Sequence, residues 1–270
     1  MGKRGARVRI FLTFILVLCG SFASAQGLFS LGSVEDGRKW EAVGRLEIAG
    51  EAFCTGALIE PTLVLTAAHC LFDAQTGAPV KVDDIQFLAG WRNGRASAYR
   101  RVRAAVAHPD YQFKGPSNTD RIRNDVGLIR LQHPIRNTTV TPFQTDTQPP
   151  SGARVGVVSY AHDRSEAPSL QELCNVLAQQ NEVLILSCEV DFGASGSPVF
   201  TFDVNGTPRI VSVVSAKAEA NGQPVSLATP LLEPLQALRT ALADYGDKGV
   251  GLIPMAAGSR RNTGAKFIKP

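Results

Sequence analysis

Aromatic residues are few in this chain, 7% of 270, and they do not interleave with the basic side chains. A surface that stacks nucleobases needs both together, so no nucleic-acid partner is expected. Histidine is scarcer still, four residues, of which His108, His133 and His162 are scattered without metal-ligand spacing. No metal and no organic cofactor are therefore expected. Strands do not alternate with helical stretches, which argues against a parallel α/β sheet. No internal repeat is strong enough to interpret. The uncharged stretch from Ile10 to Ala25 falls short of the roughly 20 apolar residues that a membrane-spanning helix needs. Net charge is also lacking once the first segment is set aside. The formal +4 is carried by Lys3, Arg4, Arg7 and Arg9, and the rest of the chain holds 24 basic against 24 acidic side chains.

The N-terminus reads as an export signal over residues 1–25. A basic stretch precedes an apolar run from Ile10 to Leu18, and Ala23-Ser24-Ala25 offers small residues for cleavage before Gln26. A membrane anchor is the alternative, which its length disfavours. Cys19 invites a lipid-attachment reading, but the bulky Leu18 before it does not suit one. Without the signal, four cysteines remain: Cys54, Cys70, Cys174 and Cys188. An even number suits disulfide pairing in an oxidising compartment. A secreted or periplasmic protein follows, with no stable membrane insertion after signal cleavage.

Short apolar, β-branched stretches run through the chain between Gly, Pro, Asn and Asp. They are Thr55 to Ile59, Leu63 to Ala67, Ile85 to Leu88, Val126 to Leu131, Val155 to Tyr160, Pro198 to Phe202, Ile210 to Ser215 and Val225 to Thr229. This pattern predicts an all-β protein. Thr and Pro are frequent between Pro134 and Gly152, which suits a linker at 137–152 between an N-terminal half, 26–136, and a C-terminal half, 153–232. Leu231, Leu235, Leu238 and Leu242 recur at helical spacing and predict a helix over 233–246. The Gly-rich, basic tail, 247–270, is expected to be loose. Arg92, Arg95, Arg100, Arg101 and Arg103 read as the solvent face of an exposed strand, with a polyanion site as the alternative.

Three segments carry chemistry. Thr66-Ala67-Ala68-His69-Cys70 supplies an imidazole, Asn124-Asp125-Val126-Gly127-Leu128 a carboxylate, and Gly193-Ala194-Ser195-Gly196-Ser197-Pro198 a hydroxyl. A serine hydroxyl is a weak nucleophile at neutral pH. It needs a base to take its proton and a buried carboxylate to fix the tautomer of that base. Each residue also has a plainer reading: a packed core histidine, a turn aspartate with Asp120 as its competitor, and an ordinary turn serine. Asp125 precedes an apolar run and would enter the interior at a strand start, where only a partner such as His69 makes its burial tolerable.

In order and setting, the three segments resemble the trypsin-like serine peptidases from Val43 to Leu232. They are nearest the bacterial trypsin-like and glutamyl-endopeptidase-like branch, where GxSGSP is common. The resemblance implies two antiparallel six-stranded β-barrels with the active site in the cleft between them, and the C-terminal helix that the leucine spacing predicts is expected to pack on the second barrel. It also implies a bacterial, exported endopeptidase acting on a protein or peptide substrate. His69, Asp125 and Ser195 would be catalytic, and the amides of Gly193 and Ser195 would form the oxyanion hole. Cys54 would pair with Cys70, closing a loop of about 15 residues that the chain-entropy model values at roughly 3 kcal/mol. Cys174 would pair with Cys188.

Some features depart from the family pattern. Ala194 stands where many animal members have an acidic residue, and no Ile-Val-Gly-Gly start occurs near Gln26 to Lys39, so activation by a liberated amine is not expected. Glu189, six residues before Ser195, occupies a position that is acidic in members cleaving after Lys or Arg. Asp191 is also acidic and close, while Ser215-Ala216-Lys217 replaces the usual Ser-Trp-Gly. Glu189, Ser215 and Lys217 are the candidate substrate-binding residues. A basic preference stays open beside one in which Lys217 neutralises Glu189, fills the pocket or attracts an acidic side chain. The rival from another class is a catalytically silent binding protein on the same fold, recognising cell-envelope or host molecules.

Overall fold

A computed structural model describes residues 27–114, 118–245 and 252–253. The expected export signal and most of the expected loose tail lie outside the described residues. In chain order the first strands are β1 (Leu28–Ser30), β2 (Val43–Ile48), β3 (Ala52–Glu60), β4 (Leu63–Thr66), β5 (Ile85–Ala89), β6 (Ala98–Ala107) and β7 (Gly127–Leu131). They are followed by β8 (Gln144–Thr145), β9 (Arg154–Ala161), β10 (Arg164–Gln180), β11 (Val183–Leu186), β12 (Pro198–Phe202), β13 (Pro208–Ala220), β14 (Gln223–Thr229) and β15 (Leu252–Ile253). The helices are α1 (Val34–Gly37), α2 (Thr119–Arg123) and α3 (Leu232–Tyr245).

Twelve of these strands close into two antiparallel barrels of six. The first runs β2-β3-β4-β7-β6-β5 and returns to β2; the second runs β9-β10-β11-β14-β13-β12 and returns to β9. Closure leaves each barrel without a free edge, which removes the usual hazard of unpaired strand amides. The three remaining strands decorate the outside: β1 pairs with β10, β8 lies parallel to β13, and β15 lies parallel to β6. All eight strand stretches read from the sequence fall on barrel strands or run to within a residue of their ends.

The two halves meet through aromatic packing. Phe200 of β12 sits with its ring centre 4.8 Å from that of Phe143 in the connecting segment and 5.0 Å from that of Trp40. Edge and tilted contacts of this kind add to the burial of large rings.

Helix α3 corrects the expected packing. Its leucines are buried as their spacing predicts, Leu235 at 4%, Leu238 at 0% and Leu242 at 1% exposure. Yet the helix lies on β6 and β7 of the first barrel, and Arg239 pairs with Glu60 of β3. The reason is visible in those strands. Residues 104–107 and 127–129 are buried without alternation, so both of their faces are covered, one by the barrel interior and one from outside.

A second correction concerns the arginine cluster. Arg101 and Arg103 are exposed and alternate with buried Val102 and Ala104, as a strand with a solvent face requires. Arg92 is instead buried. Its Nη1 donates to Glu41 Oε1 at 2.8 Å and its Nε to the Leu31 carbonyl at 2.7 Å. A charge so placed is tolerated because it is paired and hydrogen-bonded.

Candidate active site

His69 lies in a short 3-10 turn, Ala68–Leu71, directly after β4. Ala67 and Ala68 are fully buried, and small side chains there let the turn pack against the barrel end. Cys70 is bonded to Cys54 of β3, which ties the turn to the neighbouring strand. Asp125 follows α2, whose first turn is capped by the Asn118 side chain, and immediately precedes β7. Pairing of Thr66 with Gly127 across β4 and β7 brings the two segments together.

Asp125 is 4% exposed, and three donors satisfy its carboxylate. Oδ1 accepts the His69 backbone amide at 2.8 Å. Oδ2 stands 2.7 Å from His69 Nδ1 and accepts the Ser215 hydroxyl at 2.5 Å. With Nδ1 donating its proton to Asp125, the lone pair of the ring resides on Nε2. Burial acts to lower the pKa of His69, but the charge of Asp125 and its hydrogen bond outweigh burial, with Arg121 opposing them. The net result is a value above the ordinary 6.5. Tyr111 stands near the same carboxylate, and burial followed by that charge pushes its phenol well above its usual range.

Ser195 is half-buried in the loop that enters β12. Gly196 donates to the Val214 carbonyl at 2.8 Å, and Val214 donates back to the Ser197 carbonyl at 2.9 Å, so the loop is fastened to β13. Two glycines allow the turn. Gly193 has φ +95° and Gly196 φ +79°, and a Cβ at Gly196 would strike the Thr55 carbonyl. The amides of Gly193 and Ser195 donate to no carbonyl among the described residues.

Thr55 fixes this loop from the other barrel. Its amide donates to the Ser195 carbonyl at 2.9 Å, its hydroxyl donates to the Gly193 carbonyl at 2.9 Å, and the same oxygen accepts the Tyr160 amide at 3.1 Å. Since Thr55 adjoins Cys54, and Cys54 is bonded to Cys70, a short path of bonds links the serine loop to the histidine turn. The small cleft beside Ser195 and the one beside His69 and Asp125 share Ser215 and Ala216 as a wall. Nothing in the sequence singled out Thr55.

The remaining candidates divide. Cys174 and Cys188 are bonded and brace the start of the loop that leads to Ser195. Ser215 faces the cleft and also spends its hydroxyl on Asp125, a contact that the sequence reading did not assign. Lys217 lines the cleft, but its partner is Asp191, at 2.8 Å, and not Glu189. Glu189 is exposed and lines an adjoining cleft of about 550 Å³, which shares Val190, Asp191 and Lys217 with the one beside Ser195. Glu189 thus stands beside the Ser195 cleft and is not among the residues that line it. The backbone sets this outcome, since the Glu189 amide is held by the Gln171 side chain at 2.9 Å. Cys54, His69 and Cys70 also lie close enough together to suggest a metal site, but the two sulfurs are bonded to one another and offer no thiolate.

Comparison with known proteins agrees with this geometry. The family model described as Trypsin matches residues 32–233. Among curated proteins, the glutamyl endopeptidase of Bacillus licheniformis is 27% identical over 148 residues, covering 54% of this chain and 45% of that protein. Serine protease 23 of Homo sapiens is 27% identical over 166 residues, covering 54% of this chain and 42% of that one. The chain thus spans less than half the length of these curated relatives. A solved structure of Glu endopeptidase in complex with MPD superposes with a TM-score of 0.62 at 18% identity, over 80% of this chain and 97% of that one.

Proposed function

The chain belongs to the trypsin family, and from that premise we propose that it is an exported serine endopeptidase working through an acyl-enzyme. The observation that carries the proposal is the Asp125 carboxylate, buried yet satisfied by His69 and Ser215. A carboxylate so placed holds the imidazole in one tautomer and stabilises the cation that it becomes.

Ser195 Oγ attacks the peptide carbonyl carbon as its proton passes to His69 Nε2. The carbonyl electron pair moves onto oxygen, where the Gly193 and Ser195 amides stabilise the charge. Collapse expels the amine, which leaves with the proton held by His69, and the acyl group stays on Ser195. Water then repeats the sequence, losing its proton to His69 and releasing the acid. Both disulfides suit an oxidising compartment. Among the described residues no helix is long and apolar enough to cross a membrane. The reading further takes residues 1–25 as a removable signal.

The test is hydrolysis of an unstructured protein substrate by the mature chain beside its Ser195→Ala variant. Cleavage that falls by about 10⁶-fold in the variant is expected. Equal cleavage by both proteins would overturn the assignment.

A further inference from the structure

The cleft at His69 holds about 230 Å³ and shares Ser215 and Ala216 with the cleft at Ser195. Arg121 lines it, and no other lysine or arginine among the described residues does. Helix α2 sets where this arginine stands. The Arg121 amide donates to the capping Asn118 side chain at 3.0 Å, and the carbonyl of the next residue, Ile122, accepts the Thr229 hydroxyl of β14 at 2.7 Å. The guanidinium carbon lies 5.7 Å from the centre of the Phe113 ring and 6.0 Å from that of Tyr111, which lines the same cleft. Its charge reaches the base, since it opposes protonation of His69.

A peptide whose carbonyl carbon meets Ser195 has the side chain of that residue beside the Ser195 cleft. In an extended chain the next side chain points to the opposite face, one Cα step of about 3.8 Å away. For the residue before the attacked carbonyl, the opposite face is the His69 cleft, across the shared Ser215 and Ala216 wall. Two charges meet a side chain there, and they differ in what they offer. The Asp125 carboxylate is buried and already accepts from His69 and Ser215. Arg121 is half-buried and carries five N–H donors in a planar fork that matches a carboxylate. The balance tips further during the reaction. Once His69 holds the serine proton, the cleft carries two positive charges against one negative, so a carboxylate gains most in the transition state.

We propose that Arg121 selects an acidic side chain, glutamate or aspartate, on the residue that precedes the one whose carbonyl Ser195 attacks. The inference rests on the endopeptidase reading above and adds a substrate preference at a second position of the same site. It is independent of which side chain enters the Ser195 cleft.

The experiment starts from a sequence that the mature protein cleaves in an unstructured protein, and compares peptides that carry Glu, Gln or Lys at that preceding residue. They are hydrolysed by the mature protein, by Arg121→Gln and by Arg121→Glu. Glu and Gln share a shape, so their ratio of kcat/KM reads charge, and an effect of Arg121 on His69 cancels in it. The ratio should be about 5 in the parent, the upper end for a partly exposed ion pair, and should fall as salt rises. It should drop to about 1 in Arg121→Gln, and Lys should overtake Glu in Arg121→Glu. A ratio of 1 in the parent, or one unmoved in Arg121→Gln, would overturn the inference while leaving the endopeptidase reading intact. A folded protein that cleaves no substrate and is not labelled by a fluorophosphonate would overturn both. Should the variants fail to fold, the parent ratio and its salt dependence decide alone.

Discussion

At the scale of single residues, the account depends most on Asp125. Its carboxylate both fixes the His69 tautomer and raises the His69 pKa above 6.5. The base must be neutral to accept a proton, so activity is present above that pKa and lost as pH falls through it. The acid limb of kcat/KM in the free enzyme should therefore have its midpoint above 6.5. Asp125→Asn removes what holds the pKa up, so the midpoint should move down, and kcat should fall by about 10⁴-fold. A pH–rate profile unmoved by the substitution would contradict this role. His69, Asp125 and Ser195 could be singled out as candidates in the sequence because each sits in a local setting with a chemical reason. Thr55 and the Asp125 contact of Ser215 could not, because a single hydroxyl carries no pattern until the fold shows what it faces. For Glu189, counting along the chain gives a position only, and the hydrogen bond from its amide to Gln171 fixes the backbone there.

At the scale of elements, the turn that bears His69 is held by one covalent bond outside the strands. Removing it in Cys54→Ala/Cys70→Ala should cost about 3 kcal/mol in the chain-entropy model for a closed loop of this size. At roughly 2–4 °C per kcal/mol for a domain of this length, thermal unfolding should shift down by about 6–12 °C. A melting curve indistinguishable from that of the parent would contradict the bracing role. The short β-branched strands were readable because one or both faces are packed. The 17-residue β10 was not, since its sequence mixes Glu, Gln, Asn and Leu in an order that suits a helix as well as a strand. Its strand form is imposed by its partners β9, β11 and β1.

At the scale of the whole molecule, the proposed site draws on both barrels, His69 and Asp125 coming from one and Ser195 from the other. Thr55 is the joint between them. Thr55→Val keeps the volume but leaves the Gly193 carbonyl and the Tyr160 amide without their partner. Stability should fall by about 1–3 kcal/mol, the cost of a buried group left unpaired, and kcat should fall with it as the Gly193 loop loosens. Denaturant unfolding beside turnover kinetics checks both, and an unaltered kcat would separate the joint from the chemistry. The two-barrel plan was legible only through the resemblance, because periodicity identifies strands but not their order. The resting place of α3 escaped for the same reason: four leucines state that a helix buries one face, and only the doubly covered stretches of β6 and β7 say against what.

The most direct test of the central claim is mass-spectrometric mapping of a fluorophosphonate adduct on the mature, disulfide-intact protein. The account predicts one adduct, on Ser195, formed faster as pH rises through the His69 pKa and abolished in His69→Ala. A folded protein that takes up no probe, or takes it up elsewhere, would contradict the claim that His69 and Asp125 activate this serine.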